Sequence, residues 1–582
     1  MALLSVLIGI VAGLGAVVFR ALIAFFHNLL FLGKFSLFYD ANTHTGVSPW
    51  GIFIVLVPVL GAFGVAFLVK NFAPEAKGHG VPEVMDAVYY KRGIIRPVVA
   101  LIKSLASAIS IGSGGAIGRE GPIIQIGSSF GSTIGQIRPM PAWQRITLIA
   151  AGAGGGIAAT FNTPVGGVLF AVEIILHEVS ARTLVPVAIS TATATYIGRL
   201  FFGTHPSFVI PKFEISFFHL TQPLVLLSYV GLGLLMGAVS TLFIKAIYGM
   251  EDFFDKRIPG NYYTRHMLGM LLVGIMMYLL LRYTGHYYIE GVGYATVQDI
   301  LMGVLSNPFL LLILFVLKLL ATSLTLGSGA SGGIFSPALY LGATLGGLYG
   351  VILNMLFPAL QVTPPAFAVA GMAGVVGGAT GAAMAAIVMI FEMTLDYNVI
   401  LPLTITVAIS YGLRKFLSPE SIYTLKLVRR GHYMPEAMRK SSEDLKRARQ
   451  LMLTPVITLP ASMTLVDFAR NIATSESTSY FLVRENNKVC GVVSKQEALR
   501  SLHQREKRKT LGEIASKSYT TVSEEATFLD ILNHLYANQA PVALVLDNKA
   551  LANGDLDHVI GLITKEELTH LSGDTVELFT DI

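Results

Sequence analysis

One eleven-residue glycine block occurs twice in this chain, and that repeat constrains the fold more than any other feature. Residues 112–122 read GSGGAIGREGP and residues 327–337 read GSGASGGIFSP. Gly112, Ser113, Gly114, Gly118 and Pro122 fall at the same offsets as Gly327, Ser328, Gly329, Gly333 and Pro337. A second pairing supports the first: residues 151–173 align on 370–392 without a gap and bring Glu173 onto Glu392. Related halves with Gly/Pro-interrupted apolar segments at matching places point to a transporter-type site between repeats. Glycine allows backbone N–H groups to approach an ion, and proline fits the first turn of a helix. The N-terminus of a helix carries unpaired N–H groups and partial positive charge, so it suits an anion. The repeat therefore predicts an anion site inside a membrane protein.

Composition supports the membrane reading independently. The chain is 53% hydrophobic and 13% charged, with mean hydropathy +0.64, too apolar for an ordinary soluble protein of 582 residues. Charge is segregated: residues 418–582 hold 41 of the 78 Asp, Glu, Lys and Arg, whereas 52 of 58 glycines precede residue 418. The expected organisation is a glycine-rich membrane body (1–417), a linker (418–446) and a charged tail of two modules (447–505 and 506–582). The single cysteine, Cys490, excludes an internal disulfide and a multi-cysteine metal site. The basic balance suits cytoplasmic loops, and nothing points to nucleic acid.

Met1 to Val18 is apolar with no basic residue before Arg20, which reads as a retained membrane helix rather than a secretory signal. Further apolar runs are 51–69, 224–244, 266–281 and 308–321, separated by shorter Gly- or Pro-broken runs. Broken helices survive at membrane depth only where protein or a watery cavity satisfies their backbone. Lys70, Lys77, Lys91, Arg92 and Arg96 form one basic cluster, and Arg414, Lys415, Arg429 and Arg430 another. Both are expected to be cytoplasmic, with the tail on the same side of the cell membrane.

These residues carry a resemblance. GHGVPE at 78–83, GREGP at 118–122 and GGIFSP at 332–337 resemble the three anion-site motifs of the CLC family of chloride channels and chloride/proton exchangers. EMTLDYNVILP at 392–402 resembles the segment that carries the family's pore tyrosine, here Tyr397. AAGAGGGIAATFNTPVGGVLFAVE at 150–173 resembles the helix pair after the second motif. The likeness spans nearly all of residues 1–417. It implies an all-α, inverted-repeat bundle of tilted and broken helices, assembled as a homodimer with one pore per subunit. It also implies that Glu120 is the gating glutamate, with amides of Gly118, Arg119 and Gly121 lining the outer site. Ile334 and Phe335 would supply amides to the central site, and the Tyr397 phenol would complete the anion's coordination.

Independently of family, a lone carboxylate in an apolar glycine-rich stretch is a functional candidate, because ionisable groups at membrane depth are costly. A carboxylate can occupy an anion site when charged and leave it when protonated. A salt bridge to a neighbour is the plainer reading of Glu120, and a helix cap that of Tyr397. Two positions depart from the family pattern. His79 stands where serine or proline is usual. Imidazole offers an N–H donor and can gain charge near neutral pH. The plainer reading is that the ring turns away and only the Gly80 N–H meets the ion. Ile174, next to Glu173, stands where exchangers carry a proton-transferring glutamate. Glu178 lies one turn further on, as a substitute relay or as a solvated carboxylate. His177-Glu178 begins an HExxH-like string, but Ala181 occupies the second ligand position, so no zinc site follows.

The tail has its own repeat. GVVSKQE at 491–497 and GLITKEE at 561–567 share Gly-x-x-Ser/Thr-x-x-acidic, each following a strand-like run and preceding a helical one. The pattern resembles a pair of CBS modules, α/β units that stack and can bind adenine nucleotides such as ATP or AMP. Ser494, Glu497, Thr564 and Glu567 are the candidate contacts. The alternative is that each pair is a helix cap. No cofactor is expected beyond such a nucleotide, and no enzyme motif is found. The sequence thus predicts a multi-pass membrane protein that moves chloride or a similar monovalent anion. The lean is to a gated channel, with an antiporter of altered inner proton path as the alternative. A non-conducting nucleotide-sensing scaffold is a third reading.

Overall fold

In the computed structural model the chain forms two compact units, Met1–Met434 and Pro435–Ile582. The structure describes residues 1–138, 140–177, 180–204, 207–210 and 223–432 of the first unit. Of the second it describes 447–471, 479–486, 488–503, 509–526, 530–531, 534–535, 538–547, 556–566 and 568.

The first unit is helical. Its order is α1 (Ala2–Leu32), α2 (Val57–Phe72), α3 (Val81–Tyr90), α4 (Val98–Gly112), α5 (Glu120–Ile137), α6 (Ala142–Phe161), α7 (Pro164–Phe170) and α8 (Ala181–Phe202). Then come α9 (Pro223–Arg257), α10 (Tyr262–Thr284), α11 (Tyr294–Leu301), α12 (Pro308–Ser328) and α13 (Phe335–Leu356). The last are α14 (Pro364–Thr380), α15 (Ala383–Thr394), α16 (Ile400–Leu417) and α17 (Thr424–Val428). Among the described residues, eight helices are long and apolar enough to cross a membrane, and four shorter apolar helices accompany them.

The repeat seen in the sequence is a repeat of structure. Helices α5 and α6 cross at glycines so closely that a Cβ on Gly127 would lie 2.1 Å from the Gly152 carbonyl oxygen. The matching α13–α14 crossing does the same, with a Cβ on Gly342 2.3 Å from the Gly371 oxygen. Small residues at such crossings let helix backbones pack directly, the usual device where lipid supplies no hydrophobic drive. The glycine blocks meet at the centre: Gly118 N donates to Gly333 O (2.7 Å) and Gly333 N to Gly118 O (2.6 Å).

Glu173 and Glu392 are reciprocal helix caps. The Glu173 carboxylate accepts from Met384 N (3.0 Å) and Ala385 N (2.7 Å) at the start of α15. Glu392, on α15, accepts from Val165 N (3.1 Å) and Gly166 N (2.7 Å) at the start of α7. Each half thus satisfies orphan N–H groups of the other, with negative charge at a helix N-terminus.

The expected linker begins inside the first unit. After α16 the chain turns back: Arg414 Nη1 donates to the Ser418 and Pro419 carbonyls, and Ile422 N donates to Ala379 O (2.9 Å). Arg430 then pairs with Glu83 on α3, and Asp86 takes both Lys91 (2.6 Å) and His432 Nδ1 (2.6 Å). The two basic clusters read from the sequence therefore lie at one end of the bundle.

The second unit holds two three-stranded sheets of the same design. Strand β1 (Thr458–Pro460) runs parallel to β2 (Tyr480–Glu485), which pairs antiparallel with β3 (Lys488–Ser494). Strands β4 (Thr520–Ser523), β5 (Val542–Leu546) and β6 (Val559–Thr564) repeat that order. Alternation along the strands turns Leu482, Val492, Val542, Leu544 and Leu562 into one shared core between the sheets. The segments leading into each module are exchanged. Ala448 and Leu451 pack in the core of the second sheet, whereas Leu511 packs in that of the first.

Candidate functional site

Helix α3 starts late, at residue 81, because Gly80 takes φ +85° and Pro82 sits in the first turn. Helix α5 starts at Glu120 with Pro122 in its first turn, and α13 at Phe335 with Pro337 in its first turn. These breaks place helix N-termini inside the bundle, where Gly80, Gly118, Gly121, Ile334 and Phe335 are all buried.

Glu120 is 1% exposed. Its Oε1 accepts from the Tyr294 hydroxyl (2.6 Å) and from the Ser336 hydroxyl, while Ser336 N reaches Oε2 at 3.3 Å. No described cation pairs with it. The carboxyl group therefore lies at the head of α13, held by two hydroxyls and one amide. A Cβ on Gly118 would lie 2.2 Å from Oε2, so only glycine leaves room for the seated carboxylate. The plain salt-bridge reading of Glu120 gives way to this geometry.

His79 is buried, and its carbonyl oxygen would lie 2.1 Å from a Cβ on Gly121, which fixes the loop against α5. The ring lies 5.8 Å from that of Tyr423, and Nε2 is 3.3 Å from the Tyr248 hydroxyl. That hydroxyl donates to Ile422 O (2.5 Å). Nδ1 has no hydrogen-bond partner. Burial, with Lys426, Lys103 and Arg430 adding like charge, holds the His79 imidazole well below the ordinary histidine value. That burial weighs against a charge change at His79 near neutral pH.

Tyr397 does not join this group. It is 77% exposed on a short turn before α16, with its ring edge-on to Phe391 at 6.4 Å. The tyrosines beside His79 are Tyr248 and Tyr423, the latter 2% exposed with the Phe170 ring 6.5 Å away. Burial first, and then the charge of Glu120, push the Tyr423 phenol above the ordinary tyrosine value. The only sequence clue to Tyr423 is its place in SIYTLK, after the last long helix.

Two lysines that sequence analysis passed over hold the loops. Lys103 Nζ, fully buried on α4, donates to the carbonyls of Ala76 (3.0 Å) and Gly78 (2.7 Å). Lys318 Nζ on α12 donates to the carbonyls of Ile289 (2.9 Å) and Gly291 (2.8 Å). One turn on, Ser107 bonds Ser331 in the second block, and Thr322 donates to Ala116 O in the first. The signal was available: the register that matches the glycine blocks also aligns Lys103 with Lys318 and Ser107 with Thr322. Gly291 and Gly293, at φ +52° and +76°, precede α11 as Gly78 and Gly80 precede α3. Tyr294, which bonds Glu120, is the first residue after that second turn.

On the inner side, Ile174 is buried and apolar, Glu173 is engaged as the α15 cap, and Glu178 lies outside the described residues. Just beyond them in the chain, His177 Nδ1 and the Tyr89 hydroxyl lie 3.0 Å apart. In the tail, Ser494 Oγ accepts from Glu497 N (3.1 Å), the capping arrangement. Thr564 is buried at the end of β6, and Glu567 lies outside the described residues.

Two inverted halves that bring glycine-broken helix ends together around a seated carboxylate are the architecture of an inverted-repeat membrane transport protein. The chain belongs to the voltage gated chloride channel (CLC) family: that family's model matches residues 60–415, and a CBS domain model matches 448–504. It is 34% identical over 442 residues to the H(+)/Cl(-) exchange transporter ClcA of Vibrio cholerae, covering 73% of this chain and 88% of that protein. A protein of Ralstonia nicotianae named as a ClcB-like chloride channel is 32% identical over 389 residues, 66% of this chain and 86% of its own length. The crystal structure of a slow cyanobacterial Cl-/H+ antiporter shares the fold, with TM-score 0.62 and 24% identity over 76% of this chain and 98% of that one.

Proposed function

We propose that this protein exchanges chloride, or a similar monovalent anion, for protons across the cell membrane, with Glu120 as the group that binds the proton and gates the anion path. The observation that supports this reading is the Glu120 carboxylate lodged at the head of α13, where a helix start suits an anion, and held by hydroxyls rather than by a described cation. Protonation removes its charge and frees the seat for an anion, so proton binding and anion entry compete for one place. Gly80, Ile334 and Phe335 supply further helix-start amides, His79 and Tyr423 flank the inner end, and Tyr397 is left out of the path. The relatives' names weigh towards exchange over the gated channel that the missing inner glutamate favours.

The channel reading keeps one specific support: Ile174 cannot carry a proton, and Glu173 is committed to a helix cap. The deciding experiment is a liposome assay in which an imposed chloride gradient is tested for uphill proton movement. Exchange predicts proton pumping at a fixed ratio, lost in Glu120→Gln, whose chloride flux depends little on pH. Chloride flux without pumping makes the protein a channel, and no flux at all leaves the scaffold reading.

The second sheet, with the strand order of the first, reads as a second CBS module. The tail is then a cytoplasmic regulatory pair that can take ATP or AMP. The transport unit is expected to work as a homodimer in the membrane.

A further inference from the structure

We propose that Arg20, Arg119 and Arg199 form a second anion seat, in the vestibule beyond Glu120, with a chemistry suited to inorganic oxyanions such as sulfate as well as hydrated chloride. As a point of entry to the anion path, this seat rests on the transport reading; as a binding site, it does not.

A cavity of about 170 Å³ lies beside the gate, and Tyr294, which bonds Glu120, is in its wall. Three separate elements bring guanidinium groups to it: the middle of α1 (Arg20), the residue before α5 (Arg119) and the last turn of α8 (Arg199). No Asp or Glu is among its described lining residues. Aromatic rings position two of the cations. Arg20 lies 4.4 Å from the centroid of Phe202, and Arg119 lies 5.3 Å from that of Tyr294. Arg199 is fixed by its Nε, which donates to Asn162 Oδ1 (2.6 Å).

None of the three is paired with a described carboxylate. Asp40, the acid whose charge reaches Arg20, accepts from Asn42 N (3.0 Å) instead. Arg119 is only 8% exposed, yet its Nε has no hydrogen-bond partner. Arg119 is the buried one of the three; Arg20 is half-buried, and Arg199 is exposed with the charge of Glu392 within reach. A buried cation unpaired with a carboxylate is strongly unfavourable, and three guanidinium groups around one cavity also repel. An anion between them relieves both costs. The planar guanidinium fork matches two oxygens at once, which favours oxyanions beside halides.

The seat is distinct from the carboxylate seat at α13, and it opens on the opposite face from the basic loops. Helix α6 spans that distance: Arg145 near its start donates to Arg92 O (2.7 Å), and Asn162 just past its end lines the cavity. Twenty residues of α-helix cover about 30 Å.

The test is calorimetric titration of full-length protein in detergent with sodium sulfate at constant ionic strength. Wild type should bind sulfate, and Arg20→Gln/Arg199→Gln should bind it about tenfold or more weakly. A wild-type helical circular dichroism spectrum and a monodisperse elution profile verify that the double variant is folded. If it is not, Arg20→Gln and Arg199→Gln are tested singly, each expected to weaken sulfate binding about threefold. Unchanged sulfate affinity in the variants, or no sulfate binding by wild type, overturns the proposal. Sulfate binding that appears only after delipidation would assign the seat to a lipid phosphate and would also overturn it. A protein that binds sulfate as predicted but moves no anion in liposomes would end the transport reading and leave the seat standing.

Discussion

Replacing Tyr294 by Phe tests the seat of Glu120 with the loss of one oxygen. The phenol donates to Oε1 at 2.6 Å, Ser336 Oγ shares that oxygen, and the Ser336 amide reaches Oε2 only at 3.3 Å. A hydrogen bond to a charged, buried acceptor contributes about 1.5–3 kcal/mol. The Ser336 hydroxyl remains to hold Oε1, so the lower end applies. A change of about 1.4 kcal/mol alters the balance between seated and displaced carboxylate tenfold. The phenylalanine ring keeps the edge contact with Phe208 (5.1 Å) and the cation contact with Arg119, so the fold is expected to survive. The seated, charged form is the one weakened, and less acid is then needed to vacate the seat. Chloride efflux from liposomes, recorded against pH, should reach half its maximum about one unit further to the alkaline side. A profile that superimposes on wild type, in a preparation where Glu120→Gln flattens it, would refute the claim that Tyr294 holds the gate shut.

His79→Ser should change the chloride/nitrate ranking, by about tenfold where a desolvated contact is exchanged. Because burial and the facing cations keep the imidazole neutral, the substitution should leave the pH dependence between about 6 and 7 unaltered, and a lost inflection there would show that His79 titrates. Lys103→Met and Lys318→Met each strand two buried carbonyls at about 1–3 kcal/mol apiece, so both should lower the unfolding temperature in detergent by similar amounts; a drop in one only would deny the two-fold equivalence. Glu173→Gln should weaken the α15 cap and cost roughly 1 kcal/mol of stability while leaving any proton pumping intact; loss of pumping with stability unchanged would make Glu173 the inner proton group. Glu497→Ala should weaken ATP or AMP binding to the full-length protein if the tail binds nucleotide, whereas Ser494→Ala should chiefly destabilise the helix at 495–503 through its cap.

Much of this protein was decided locally and is legible in one dimension. Glycine at residues 80, 118 and 333, with proline soon after each break, dictates interrupted helices wherever it falls, because the cause is backbone geometry. The two glycine blocks sit in equivalent environments, so their likeness reported the two-fold relation of the halves and set Glu120 at the start of a buried helix before any contact was known. The tail's strand pattern was readable for the same reason: alternation along a few residues sets which side chains enter the core. What only the tertiary structure decided are the partners of those local features. Tyr397 and Tyr423 differ by where the chain goes after α16. A return stroke that bonds Ile422 to Ala379 brings Tyr423 under His79, and no periodicity encodes a contact across more than 300 residues. The capping contact of Glu173 was hidden because sequence cannot show which helix end lies opposite a carboxylate; its partners sit more than 200 residues away. The charge of His79 was likewise undecidable from its type, since desolvation and the cations that reach it come from segments far apart in the chain. The three vestibule arginines were equally invisible as a group, because only packing of α1 against the ends of α6 and α8 places their charges around one cavity.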